Sequence, residues 1–166
     1  MKNTTELINE LGNYHTWIQS LKSINEKLFF TPIKMGKWSP AEIISHITFW
    51  DKYILEEILP KMKQGANIVT VEFVVINQPA AKYALSGVSR ESLIKEQVES
   101  RKNILSALKA KAEEEFFVAF KLNGEEIDEY SGYPHTMFNY FASFVWHDNH
   151  HKQQIMEFLS SQHVKL

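Results

Sequence analysis

The chain contains no cysteine, so thiolate zinc sites, iron–sulfur clusters, disulfide frameworks and a cysteine nucleophile are all excluded. Glycine and proline are sparse, six and five among 166 residues, which excludes collagen-like repeats and flexible low-complexity linkers. An excess of charge of one sign is missing too: eighteen Lys and Arg against twenty Asp and Glu leave a net charge of −2. Duplex-binding proteins carry a basic excess or a basic stripe as a rule, so nucleic acid is not an expected partner. Long apolar runs are absent as well. Val69 to Ile76 is short and is broken by Thr70 and Glu72, well below the roughly 20 apolar residues that span a bilayer. Met1 to Glu6 shows no apolar stretch ahead of a small-residue cleavage site, so no secretory signal is expected. What is present, 44% hydrophobic and 23% charged residues, is ordinary for a folded protein. The expectation is one domain over residues 1–166, cytoplasmic, with neither nucleic acid nor membrane as partner.

Four segments carry helical periodicity, separated by turn chemistry. In the first, about Thr4 to Phe30, Leu7, Leu11, Tyr14, Ile18, Leu21 and Leu28 recur at three- and four-residue steps. Thr31-Pro32 ends it, since a residue before proline is pushed out of helical geometry. The second opens on Ser39-Pro40-Ala41-Glu42, a capping box with proline at the first helical position. It is expected to run to about Gln64, with Pro60 bending its end and Gly65 stopping it. The third is expected from Ser89 to about Glu115, and the fourth from Pro134 to about Ser161. Between them, Ile68 to Ile76 is β-branched and reads as a short strand or extended loop. Phe116 to Tyr130 reads as a small hairpin turning at Asn123-Gly124. The fold class expected is all-α, a four-helix bundle.

Seven histidines occur, and helical phase separates them. At about 100° per residue, His147 and His151 fall in the same arc as Phe144, Ile155 and Phe158, whereas His150 falls outside it. On the second segment, His46 lies among Ile43, Ile47, Trp50 and Ile54. Three imidazoles are therefore expected to point into one interior. Each buried ring needs a partner or costs on the order of 1–3 kcal/mol, and three together crowd one another's protons unless their lone pairs face a common cation. An i, i+4 pair plus one facing imidazole is the donor set of an open, catalytic metal site. Imidazole ligation alone does not choose among zinc, nickel, copper, cobalt and iron. His15 is expected at a rim, and His135 and His163 in solvent.

Lys37-Trp38-Ser39-Pro40-Ala41-Glu42-Ile43-Ile44-Ser45-His46-Ile47, followed by His147-Asp148-Asn149-His150-His151, resembles the DinB/YfiT-like metalloprotein superfamily. The resemblance extends to Asn77, to Arg101 and to the order of the helices, nearly the whole chain. It implies a bundle of up-down-down-up topology, often dimeric, with one divalent metal ion, zinc or nickel first, on His46, His147 and His151. Members with assigned activity include thiol S-transferases and a thiol-dependent isomerase. The function expected is therefore a metal-dependent enzyme acting on a small molecule. In it a metal-activated low-molecular-weight thiol attacks an electrophile; a metal-dependent hydrolase and a non-catalytic metal-binding bundle or sensor stand as alternatives.

Three further residues are candidates for the surroundings of the site. Arg101, inside the third apolar arc, is weighed as a ligand for a cosubstrate carboxylate against a structural pair. Asp148 is weighed as a carboxylate orienting an imidazole against a solvated or capping one. Trp50, with Tyr140 and Phe144, is weighed as a pocket wall against plain core packing.

Overall fold

Asn3 begins the first helix, its side chain accepting from the Glu6 N–H, one of the donors that a helix start leaves orphaned. The computed structural model describes Lys2 to Leu166; Met1 lies outside the described residues. Helix α1 (Thr4–Ser20) buries Leu7, Leu11, Tyr14 and Ile18. The expected single run to Phe30 is interrupted: a 3-10 turn, Leu21–Ser23, is followed by a short α2 (Glu26–Phe29). The cause is Asn25, whose side chain accepts from Lys27 N–H and so starts a new helix instead of continuing the old one.

Helix α3 (Pro40–Tyr53) starts on the complete capping box, with Ser39 accepting from Glu42 N–H and the Glu42 carboxylate accepting from Ser39 N–H. It passes into a π turn, Ile54–Ile58, and a 3-10 turn, Leu59–Lys61. Pro60 thus sits in the 3-10 turn, and Gly65 adopts φ +74, the left-handed geometry of a helix stop.

The next segment departs from expectation. Only β1 (Asn67–Ile68) is strand; Phe73 to Ala84 forms helix α4 (Phe73–Ala84), with Pro79 inside it. Val74, Val75 and Ile76 have strand preference and Pro79 breaks most helices, yet docking overrides both. Ala80 and Ala84 are fully buried, their small side chains allow close approach to α3, and Ser45 Oγ donates to the Ala80 carbonyl at 2.7 Å. The Val75 carbonyl that Pro79 cannot meet belongs to an exposed residue.

Ser89 caps α5 (Arg90–Lys109), which stops short of the expected Glu115; a 3-10 turn, Glu113–Phe117, takes up the remainder. The Asn123-Gly124 turn is present, with φ 52 and 83, but no regular hairpin grows from it. Instead β2 (Lys121–Leu122) pairs in parallel with β1. Thr136 caps α6 (Met137–Ser161), accepting from Asn139 N–H.

Helix directions follow from two core clusters. In one, Leu7 and Leu11 of early α1 meet Met137 and Phe141 of early α6, together with Ile54, Ile58, Ile104 and Leu108 from the far ends of the α3 and α5 segments. In the other, Tyr14 and Ile18 meet Ile155 and Leu159, together with Ile43, Ile47, Leu93 and Ile94 from early α3 and α5. Helices α1 and α6 therefore run one way and α3 and α5 the other: a four-helix bundle of up-down-down-up order. Among the described residues, no helix is long and apolar enough to cross a membrane.

Candidate metal centre

The Pro40 start sets the phase of α3, so His46 is carried to the side facing α6 and is 6% exposed. One helical turn separates His147 from His151 on α6, and their rings lie 4.5 Å apart. All three Nε2 atoms converge. His147 Nε2 is 3.2 Å from that of His46 and 3.1 Å from that of His151, and one ligand atom from each residue lies within 4.8 Å of the others. At metal–nitrogen bonds near 2.0–2.1 Å, facial donors stand about 3.0 Å apart for right-angle and about 3.4 Å for tetrahedral geometry. The two separations from His147 Nε2 lie between those values.

Trp50 Nε1–H, which can only donate, points to Asn77 Oδ1 at 2.8 Å; the amide oxygen is thereby identified. His46 Nδ1, 2.7 Å from the same oxygen, must be the protonated nitrogen, which leaves its Nε2 as a bare lone pair. His151 Nδ1 likewise donates to Gln154 Oε1 at 2.9 Å, leaving a second bare Nε2. A single N–H on His147 Nε2 can satisfy only one of them. His147 Nδ1 has no hydrogen-bond partner at all, a costly orphan in a buried group. A cation among the three Nε2 lone pairs removes the conflict at those atoms, so the donor set fits a divalent ion.

Burial and mutual repulsion keep these rings neutral. Desolvation first, then His151, lowers the His46 pKa to about 4; desolvation, then His151 and His46, lowers that of His147 to about 3. His151 is lowered too, chiefly by burial. Metal ligation needs neutral imidazole, and these groups are neutral throughout the physiological range. Below pH 6.5 the unfolded chain binds protons that the folded one refuses, so stability falls as pH falls. Chelator-treated protein is thus expected to keep constant stability in respect of these groups above pH 7 and to lose it between pH 6.5 and 4. At about 1.4 kcal/mol per unit, His46 alone accounts for on the order of 3 kcal/mol. Urea titrations across that range check the sign; stability that rose on acidification would contradict it.

Asn77 is the hinge of the arrangement. Sequence reasoning included it only through resemblance, because its helix was not foreseen. Asn77→Ala is expected to weaken metal binding about tenfold, as loss of a ligand-orienting partner does, by freeing the His46 ring to turn; competition with a chromophoric chelator reads this out.

Arg101 and Asp148 do not serve the site in the way considered from sequence. The Arg101 side chain is fully buried, and its five N–H donors are all engaged. Nε and Nη2 donate to Asp51 at 3.0 Å each, Nη1 and Nη2 to Asp148 at 2.6 and 3.2 Å, and Nη1 also to the Leu11 carbonyl at 3.2 Å. No donor remains for a cosubstrate carboxylate. Asp148 faces this guanidinium rather than an imidazole, and burial raises its pKa to about 6 against the pull of Arg101. Asp51, also raised by burial, further accepts from Gln97 Nε2 at 3.0 Å. It was missed, although its place between Ile47 and Ile54 on the buried stripe was a signal. The cluster ties α3, five residues beyond His46, to α6 beside His147.

Trp50 acts one step removed, through Asn77, with its ring 6.4 Å from that of His46. Trp38 lies 5.0 Å from His46 and Phe144 5.4 Å from His147, while Tyr140 stacks behind Phe144 at 6.2 Å. His150 is exposed against Trp146, and His163 is exposed. His15 is half-buried. So is His135, contrary to expectation, because it stacks on Phe120.

A four-helix bundle with an interior histidine triad able to hold a metal defines the class. The family model of the DinB superfamily matches residues 12–155, and the chain belongs to that superfamily. Two solved structures share the fold. YfiT from Bacillus subtilis superposes with a TM-score of 0.74 at 13% identity, covering 98% of this chain and 89% of that one. It is described as a probable metal-dependent hydrolase with an unusual four-helix bundle topology. A Streptococcus pneumoniae protein superposes with a TM-score of 0.67 at 18% identity, covering 96% and 92% of the two chains. No curated protein matches.

Proposed function

We propose that the protein is a metal-dependent enzyme acting on a small molecule, its divalent ion held by Nε2 of His46, His147 and His151. The observation that carries this is the meeting of two bare Nε2 lone pairs on the Nε2 of a third imidazole. An ion at that point supplies positive charge that lowers the pKa of a water or thiol joining it, so that a nucleophile is available near neutral pH. Zinc and nickel suit an all-imidazole set. Asn77 and Gln154 keep the Nδ1 protons in place and aim the imidazoles, while Trp38, Trp50 and Phe144 narrow the access of bulk water.

Hydrolysis is the first reading, supported by the description of YfiT. Transfer of a low-molecular-weight thiol is the second; it is favoured by the aromatic surroundings, which suit a weakly hydrated thiolate better than a hydroxide. The setting on this account is the cytoplasm. Zinc- or nickel-loaded protein is to be assayed with p-nitrophenyl esters and phosphates, and with 1-chloro-2,4-dinitrobenzene plus glutathione, bacillithiol or mycothiol. Turnover that needs metal and falls at least a hundredfold in His147→Ala supports the enzyme. Ester hydrolysis without thiol selects the first reading and thiol-dependent turnover the second. Metal-loaded protein inert toward every combination contradicts both.

A further inference from the structure

Four apolar side chains between Val69 and Val75 are uncovered: Val69, Phe73, Val74 and Val75 are 69%, 74%, 55% and 53% exposed. This patch is continuous with the histidine centre. The Phe73 ring meets Trp50 edge to face at 5.8 Å, and Trp50 donates to the Asn77 oxygen that also holds His46. Phe73 and Asn77 are four residues apart on α4 and so lie on one face, one turn from each other.

Beside Phe73 is a shallow, widely open depression lined by Thr70, Val71, Glu72, Phe73 and Asn123. Its wall is built. Val71 N–H donates to the Tyr53 hydroxyl at 3.0 Å, Thr70 N–H to Asn123 Oδ1 at 2.9 Å, and Asn123 Nδ2 to Thr70 Oγ1 at 2.8 Å. The lining includes no cation, its one charged residue is the acid Glu72, and Arg101 is fully engaged elsewhere. No cationic side chain stands there to pair with an anionic group, and an apolar group has Phe73 and Val71.

We infer that the trough beside Phe73 binds an apolar, uncharged portion of the substrate while the reactive group lies toward the three imidazoles. The inference rests on the reading of the triad as a metal site. Acetohydroxamate, benzohydroxamate and octanohydroxamate present one metal-chelating head on three different tails, and their binding to cobalt-loaded protein is read from the visible cobalt absorption. Benzo- or octanohydroxamate is expected to bind about tenfold or more tighter than acetohydroxamate, from the apolar area its tail buries. Phe73→Ser, at a residue 74% exposed, is expected to erase that gain and to leave cobalt content and acetohydroxamate affinity unchanged.

Equal affinities in the wild type, or a gain that survives in both Phe73→Ser and Val74→Ser, overturn the trough and leave the metal site standing. Protein that takes up no cobalt overturns both. Should sedimentation show that Phe73→Ser turns a dimer into a monomer, with the tails making no difference, the patch is an interface between copies and the inference is wrong.

Discussion

Arg101→Met is expected to destabilise the protein by about 3–5 kcal/mol, because removing one member of a buried ionic cluster strands the rest. Here the remainder is two carboxylates, Asp51 and Asp148, which are 0% and 2% exposed. Burial already raises the pKa of both with the arginine in place. Without it they are pushed further up, and folding in the variant takes up protons. A group with a raised folded pKa is stabilised by acid, so the loss measured at pH 8 should exceed that at pH 5. Arg101→Lys keeps the charge but offers three donors where five are used, and should fall between. Urea denaturation followed by circular dichroism gives the numbers; a change below about 1 kcal/mol at pH 8 would be incompatible with the geometry.

His147→Ala is expected to reduce metal affinity at least a hundredfold, with His46→Ala and His151→Ala close behind and His150→Ala unchanged. His147 is the centre of the triad, since both observed Nε2–Nε2 contacts include it. His150 is one residue from His151 but is stacked on exposed Trp146. The metal-free variants should behave in the opposite sense. His147 lacks a partner at Nδ1, so its removal relieves a strained polar cluster, and chelator-treated His147→Ala should lose little stability. A site that weakens the metal-free fold in order to bind an ion is the usual relation between function and local consistency. Chelator competition separates the four variants, and equal loss in His150→Ala and His151→Ala would place the wrong face of α6 toward α3.

Much of this was legible in the chain itself, and the reasons are local. The Ser39-Pro40-Ala41-Glu42 box locks the start of α3, and a fixed start with a fixed period places His46. The i, i+4 spacing of His147 and His151 does the same on α6. Illegible were features decided by tertiary contact. Helix α4 has strand-forming valines and a proline, and it is a helix because Ala80 and Ala84 nest against α3. The β1–β2 pair joins residues far apart in the chain, which no local pattern announces. Arg101 was visible as an arginine on an apolar stripe, but its occupation by two aspartates on two other helices needed the bundle to be assembled. The same assembly turned Asn77 from part of a resemblance into the residue that sets a tautomer.

X-ray absorption at the metal edge of zinc-loaded protein, with the stoichiometry determined on the same sample, is the most direct test of the triad. The account predicts one ion per chain with three imidazole nitrogens at about 2.0–2.1 Å and lighter, exchangeable ligands completing the shell. Protein that retains no ion when offered zinc or nickel, or a bound ion with fewer than three imidazoles, would contradict it.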